Sequence, residues 1–424
     1  MAEDIQKTIY QAFSPEPLAA HDPRYVQLDD ARGGIHVVRE LVRTIELSAG
    51  YTFQILAGHR GCGKTTELNK LPAAFSKKMF VVPVSTDADC DRNDLDLPDL
   101  LAAVIRSLYL RSEDLPGTPP ESSQLETLWG RLKGAVGNIN LDEINAYGLT
   151  LKMKASPEVR SKVREVMDRD ADSWLKATND LIEATRLKLA QLSGDPYGDI
   201  VIVIDDLDKM VVRPYRAGDC TTAENLFINR AAQLKALGCH VISTIPIDLA
   251  YSHHNQTLRQ SYGDLHLLPM VKVCTRPPES AAYGPGIERM RSLIDARLKE
   301  AGNVREEAVF ESPEVVDKLI KLAGGQPTEL MTAIREAMIA ADLPIQMAGV
   351  ERVRAENLRN YRRMMRREYI DVLKEINETG SFVPDGKSDA IFRELLVSRA
   401  VLLYRNDDEW YALHPAVAEI IAKF

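Results

Sequence analysis

The stretch from residue 58 to residue 66 constrains this chain most, because it matches the phosphate-loop pattern G-x-x-x-x-G-K-[ST]. It reads Gly-His-Arg-Gly-Cys-Gly-Lys-Thr-Thr. Glycines let backbone N–H groups fold around phosphate oxygens without a Cβ clash, the lysine can neutralise phosphate charge, and the first threonine can bind Mg²⁺. The residues predicted to bind the phosphates are Gly58, His59, Arg60, Gly61, Cys62, Gly63, Lys64, Thr65 and Thr66.

The residues on either side of this loop predict a strand followed by a helix. Residues 51–57 are apolar and β-prone, and residues 66–71 are compatible with a helix. The motif requires this strand–loop–helix context, in which the helix N-terminus adds positive potential. An ordinary glycine-rich turn is therefore the weaker interpretation.

Further apolar runs predict the rest of a sheet. They cover residues 79–85, 199–205, 240–245 and 265–273. The unbroken Ile/Val run before Asp205 is typical of a strand buried on both faces of a parallel sheet. Since helical patterns alternate with these runs, we expect an α/β fold with a doubly wound parallel sheet.

Two acids end the third of these strands and predict the second half of a phosphate site. Nucleotides bind at the carboxyl edge of such sheets. Asp205 is expected to hold Mg²⁺, and Asp206 is expected to orient or deprotonate an attacking water. A plain strand-ending turn is the alternative. Thr244 ends the next strand. Its hydroxyl is expected to contact the γ-phosphate or the water, and the alternative is a strand-end hydroxyl without function.

Composition and charge argue against several kinds of binding site and location. The net charge of −9 gives no overall basic surface for nucleic acid. The five cysteines are scattered without a C-x-x-C pair, so neither a zinc site nor a disulfide framework is indicated. Cys62 inside the loop favours a reducing, cytoplasmic location. No apolar run approaches a membrane span, and the acidic N-terminus does not resemble a signal peptide.

The remaining patterns predict how the chain is divided. Residues 116–195 interrupt the core with a short hairpin near 138–154 and a charged helix, or a pair of them, from 157 to 192. Near the end, two apolar runs flank a turn at residues 406–408 between two helices, as in a winged helix. The expected parts are an N-terminal arm (1–30), a nucleotide-binding core (31–275), a helical lid (276–348) and a winged-helix domain (349–424).

This ordered set resembles the AAA+-related STAND ATPases and the origin-recognition-type AAA+ initiators. The resemblance covers about residues 25–424 apart from the insertion. It implies that Pro327, in Gly324-Gly-Gln-Pro, contacts nucleotide from the lid, although Thr328 stands where relatives carry a γ-phosphate-sensing basic residue. It places Arg32 near the adenine. It also implies an arginine finger in the interval that holds Arg259, for which a solvated helix arginine is the alternative.

The resemblance implies an ATPase that uses Mg²⁺ and acts as a switch. ATP or ADP would set the arrangement of the lid and the winged helix, and with it assembly of a homo-oligomer or binding of a protein partner, as in bacterial signalling or defence. The alternative is a DNA-binding initiator or loader that uses the winged helix and the arginines between residues 352 and 367. Overall acidity argues against DNA, and local arginine clustering argues for it. A scaffold that holds nucleotide without hydrolysis is a third hypothesis.

Overall fold

The computed structural model describes every residue except 1, 76–77, 118–122, 137–145, 193–197, 216–219, 341 and 407. Its contacts divide the chain into two compact units. The sheet unit comprises Val38–Ala57 and Lys70–His266. The loop unit comprises Met1–Val37, Gly58–Asn69 and Leu267–Phe424.

The predicted parallel sheet is confirmed. It has five strands in the order β2-β3-β4-β1-β5, and the pairs β2/β3, β3/β4 and β1/β4 are parallel. Ile204 is opposite Ser243, and Leu56 is opposite Thr244, so β1, β3 and β4 end at one edge. The strands are β1 (Phe53–Ala57), β2 (Met79–Ser85), β3 (Asp199–Asp205), β4 (His240–Thr244) and β5 (His266–Leu267).

The expected last strand over residues 265–273 is wrong beyond Leu267. The backbone N–H groups that follow are used within the loop unit. Met270 donates to Leu403 O at 3.0 Å, Val271 to Gly325 O at 3.0 Å and Lys272 to Ala31 O at 2.8 Å. Only the start of the apolar run is therefore a strand of the sheet, and Met270, Val271 and Lys272 each bond a different segment of the loop unit. The apolar pattern of the sequence does not distinguish such a segment from a strand.

The described part of the insertion in the sheet unit consists mainly of helices. The hairpin predicted near 138–154 is wrong for its second half, because Ala146–Ala155 is a helix, and its first half lies outside the described residues. The predicted charged helix is a pair, Pro157–Arg169 and Ala171–Gln191. On the first of these, Arg164 bonds Asp99 Oδ2 at 2.5 Å, which ties the insertion to the helix Leu97–Glu113.

The other helices of the sheet unit are short or flank the sheet. They are Val37–Leu47, whose first residue belongs to the loop unit, Leu71–Ala74, Thr86–Asp89, Ser123–Val136, Leu207–Lys209, Thr222–Glu224, the π-helical Asn225–Asn229, Ala231–Lys235, Ile247–Ala250 and Asn255–Tyr262.

An apolar core lies in the loop unit. The N-terminal arm begins with a helix that the sequence analysis did not predict, and Ile9 and Phe13 of the arm are buried in this core with residues of the helices Gly284–Glu300 and Pro313–Leu322. The helices are Ala2–Ala12, Asp29–Arg32, Lys64–Leu68, Gly284–Glu300, Glu306–Ala308, Pro313–Leu322, Pro327–Ala340, Met347–Met364, Arg367–Tyr369, Ile370–Thr379, Ser388–Val397 and Pro415–Ile421.

The C-terminal part of the loop unit contains the predicted hairpin. Strands β6 (Val401–Arg405) and β7 (Glu409–Leu413) pair antiparallel, with Leu403 opposite Tyr411. Trp410 is buried and stacks on Tyr404 with 4.5 Å between ring centroids. Its side chain therefore belongs to the packing of the hairpin. Across the described part of the chain, no helix is long and apolar enough to cross a membrane.

Candidate functional site

The phosphate loop has the backbone conformation that its glycines predict. Gly61 and Gly63 have φ of 80° and 106°, in the left-handed region that favours glycine. A Cβ on Gly61 would lie 2.6 Å from Gln326 Nε2. The helix Lys64–Leu68 begins directly after Gly63. The Glu67 N–H donates back to Gly63 O at 3.0 Å, which closes the first turn of this helix.

Three consecutive carbonyls of the loop are held by donors from outside it. Gln326 Nε2 donates to Arg60 O, the Thr328 N–H donates to Gly61 O at 3.3 Å, and Arg32 Nη2 donates to Cys62 O. In a trans peptide, the C=O and the following N–H point in opposite directions. Because these carbonyls point toward Gln326, Thr328 and Arg32, the N–H groups that follow them in the loop point away from those donors.

Two of these N–H groups are free to bind a ligand. The Cys62 N–H donates to His59 O at 3.3 Å. Within the described residues, the N–H groups of Gly61 and Gly63 have no partner. The loop thus presents oriented, unused donors of the kind that bind phosphate oxygens.

The side chain of Lys64 lies inside the loop. It is 5% exposed, and its ammonium donates to Gly58 O at 2.8 Å and to His59 O at 2.9 Å. These carbonyls hold the positive charge beside the free N–H groups. The hydroxyl of Thr66, in contrast, accepts a hydrogen bond from the Leu18 N–H at 3.1 Å and is engaged with the N-terminal arm.

His59 connects the loop to the C-terminal hairpin. Its Nε2 accepts from the Leu403 N–H at 2.9 Å, and its Nδ1 lies 3.1 Å from Leu396 O. Burial lowers the pKa of His59 to about 3, and the charges of Lys64 and Arg399 act in the same direction. The ring is therefore neutral with the proton on Nδ1. Its side chain binds protein, so any contact of His59 with phosphate falls to its backbone.

The segment 324–328 borders the phosphate loop, and a contact of Pro327 with nucleotide stays a prediction. Gly325 has φ of 74°, and a Cβ there would lie 1.8 Å from Val271 O, so only glycine fits. The Tyr404 hydroxyl donates to Gly324 O at 2.8 Å. Pro327 begins the helix Pro327–Ala340 immediately after Gln326. The segment is thus bonded to the hairpin through Gly324 and to the phosphate loop through Gln326.

Arg32 is a buried cation beside the loop. It is 1% exposed; its Nη1 lies 3.8 Å from Glu67 Oε1. Among the described residues, Nε and Nη1 have no hydrogen-bond partner. Unsatisfied buried donors are rare and unfavourable. Together with Lys64 and the free N–H groups, they fit a polyanion such as the phosphates of a nucleotide.

The two acids at the end of β3 are both held in place within the sheet unit. Asp206 has φ of 69°. Its Oδ2 accepts from the Ser85 hydroxyl at 2.7 Å, and its Oδ1 lies 2.6 Å from Lys209 Nζ. Asp205 Oδ1 accepts from the Asp206 N–H at 2.7 Å. Sequence reasoning missed Ser85 and Lys209, although Ser85 ends the neighbouring strand β2.

The other predicted catalytic residues lie at separate places in the sheet unit. Thr244 is fully buried, and its hydroxyl oxygen accepts from the Leu207 N–H at 3.1 Å, which links it to the turn after the two acids. Arg259 is 60% exposed, and its guanidinium lies 3.5 Å from Asp264. A role for either residue stays a prediction.

The described residues contain no cluster of metal ligands. Within the described ranges, no group of three or more His, Cys, Asp or Glu side chains could hold a metal ion. The predicted Mg²⁺ ligands, Thr65 and Asp205, belong to the loop unit and the sheet unit respectively. Their assignment stays a prediction from the two motifs.

Comparisons with known proteins do not establish a family. No family model and no curated protein matches the chain. Among solved structures, a Walker-type ATPase of Pyrococcus abyssi is similar at TM-score 0.45 and 15% identity, covering 97% of this chain and 100% of that one. The ORC2 protein of Aeropyrum pernix, in ADPNP–ADP complexes, is similar at TM-score 0.44 and 12% identity, covering 97% and 98%. Cdc6p of Pyrobaculum aerophilum is similar at TM-score 0.41 and 12% identity, covering 97% and 98%. All three TM-scores are below 0.5, so no conclusion rests on these likenesses.

Proposed function

We propose that this chain binds ATP with Mg²⁺ and acts as a nucleotide-dependent switch. The observation that carries the proposal is the phosphate loop. It combines the two unused N–H groups of Gly61 and Gly63 with a buried lysine within one short stretch. This combination is the recognised chemistry of phosphate binding.

Four residues of the loop, with Asp205 and Pro327 outside it, have separate tasks in this proposal. Lys64 exchanges its carbonyl contacts for phosphate oxygens, and the N–H groups of Gly61 and Gly63 donate to the same ligand. From the two motifs, Thr65 and Asp205 would hold Mg²⁺, and the ion would supply neutralisation of phosphate charge. Pro327 contacts the nucleotide from the lid.

Hydrolysis is assigned to the acids at the end of β3. Asp206 orients the attacking water and accepts its proton, after its carboxylate exchanges the contact with Lys209 or Ser85 for that water. Thr244 supports the turn that carries Asp206, through the Leu207 N–H. Arg259 serves as the arginine finger if the chain assembles into a homo-oligomer, since its exposed side chain can reach a neighbouring copy.

The switch is supported by contacts within the loop unit. The loop is bonded to the lid through Gln326 and to the hairpin through His59. A change in loop conformation on nucleotide exchange therefore changes contacts of both elements. The output is assembly with a second copy or with a protein partner, and signalling or defence is the proposed setting.

A DNA-binding initiator is the second candidate, supported by the arginines around the end of the helix Met347–Met364. Several of them are already neutralised. Arg354 bonds Glu419 at 2.8 Å, Arg359 pairs with Glu356, and Arg366 lies 3.4 Å from Glu394. Because these pairs reduce the free positive charge, we favour the protein-directed switch.

Calorimetry with Mg-ATP tests the proposal. Lys64→Ala removes the buried ammonium and is expected to weaken binding at least about tenfold, which corresponds to about 1.4 kcal/mol. Lys299→Ala, at an exposed helix position, is the matched control and should bind as the wild type does. If Lys64→Ala binds Mg-ATP with the affinity of the wild type, the loop is not the nucleotide-binding site. Mass photometry with duplex DNA at physiological salt separates the two candidates, because only the initiator should form a stable complex.

A further inference from the structure

We infer that Gln326 is a positioning residue for the phosphates, because it orients the Gly61 N–H from the lid. The inference rests on the proposed nucleotide site and deepens it. Gln326 is 1% exposed, and no motif assigns a role to its side chain. In Gly-Gly-x-Pro it occupies the variable position.

The contacts of the amide group determine its orientation. Arg399 Nη1 donates to Gln326 Oε1 at 3.3 Å. This bond assigns the oxygen, so the NH₂ group is the end that faces the loop and donates to Arg60 O. Arg399 itself has φ of 62°, an uncommon conformation for an arginine, at the turn that precedes β6.

The close approach of Gln326 explains why residue 61 is glycine. A Cβ at this position would lie 2.6 Å from Nε2 and 3.0 Å from the Thr328 Cβ. Either contact would push the lid segment off the loop. The glycine therefore serves two purposes, the left-handed turn and the contact with the lid.

The effect on the ligand follows from peptide geometry. The Arg60 carbonyl and the Gly61 N–H belong to the same planar peptide. Gln326 holds the carbonyl, so the N–H is fixed on the opposite side before any ligand arrives. A donor fixed in advance loses less entropy on binding than one that must be ordered. Gln326 should thus raise affinity for phosphate without touching it.

The test is Gln326→Glu, which keeps the shape and the acceptor for Arg399. At pH 8 the introduced carboxylate cannot donate to Arg60 O and repels it. We expect Mg-ATP and Mg-ADP to bind about tenfold more weakly than to the wild type, the effect of losing one neutral hydrogen bond that positions the loop. As pH falls and the carboxyl takes up a proton, its O–H donates to the same carbonyl. The affinity ratio to the wild type should then return toward one.

Two further variants make the result unambiguous. Gln326→Met has similar length and no donor, so it should show the loss without the recovery at low pH. It also decides the question alone if the first variant does not fold. Gln346→Glu makes the same chemical change at an exposed position and should behave as the wild type does at every pH.

The outcomes separate this inference from the proposed function. If the wild type does not bind Mg-ATP, the nucleotide site fails. If the wild type binds Mg-ATP and both Gln326 variants bind it as tightly as the wild type does, the nucleotide site stands and the positioning role is overturned. A loss in Gln326→Glu that does not recover at low pH also overturns it, because a purely structural role predicts no such recovery.

Discussion

Protonation of His59 should destabilise the loop unit, and this can be measured. The ring accepts from the Leu403 N–H and is neutral in the folded protein. Its folded pKa of about 3 lies below the unfolded value of 6.5. For such a histidine, the stabilising contribution is complete above pH 6.5 and is lost as pH falls toward 3, because the unfolded chain takes up a proton that the folded chain excludes.

The size of the effect follows from the two pKa values. At pH 5 the unfolded histidine is protonated and the folded one, with pKa about 3, is not. The distance from 6.5 to 5 is about 1.5 units, and each unit is worth about 1.36 kcal/mol, so the loss between pH 8 and pH 5 is about 2 kcal/mol. Other groups also titrate in this range. The comparison must therefore be made with a variant that lacks only this ring.

His59→Gln is the appropriate variant, because its side-chain oxygen can still accept from the Leu403 N–H and does not titrate. Trp410 is one of three tryptophans and lies in the hairpin. Replacing Trp129 and Trp174 by Phe in both proteins leaves its fluorescence as a report on the loop unit during urea unfolding. Between pH 8 and pH 5, the protein with His59 should lose about 2 kcal/mol more than the variant. Parallel losses, within about 0.5 kcal/mol, would refute the buried neutral ring.

Three further predictions concern other parts of the molecule. Asp206→Asn should bind Mg-ATP like the wild type and lose at least about 100-fold in turnover, measured by single-turnover phosphate release; unchanged turnover would exclude it as the base. Gly325→Ala should lower the unfolding free energy by at least about 2 kcal/mol more than Gly302→Ala, since both have positive φ and only the first meets backbone; equal losses in urea unfolding would contradict this. Arg164→Met leaves Asp99 buried and unpaired, so about 3–5 kcal/mol should be lost in the sheet unit, and a loss under about 1 kcal/mol would show that the pair is not needed.

The sequence was sufficient for the elements whose signals are local. The loop, the strands Met79–Ser85 and Asp199–Asp205 and the final hairpin each depend on a motif or on a short apolar run. The run in β3 reports burial directly, because the side chains of a central strand are covered on both faces, whereas the edge strand β2 leaves Pro83 exposed. The left-handed glycines also follow from the motif itself.

The sequence was insufficient where contacts between residues far apart in the chain determine the structure. Gln326 and Arg60 are separated by 266 residues, and no spacing rule connects them. The helix Ala2–Ala12 is polar, and its stability comes from packing rather than from propensity. The residues 147–154 alternate Leu, Met and Lys, which suits a strand, yet the helical neighbours of this segment decide its conformation.

The separation of the contacting residues has a consequence for synthesis of the chain. Leu403 follows His59 by 344 residues. At about 5–20 residues per second, its amide leaves the ribosome roughly 17–70 s after the histidine. The sheet unit, which ends at His266, can form during that interval. The phosphate loop cannot be completed until the hairpin has been translated, so a growing chain should remain unable to retain nucleotide until Leu413 has been made.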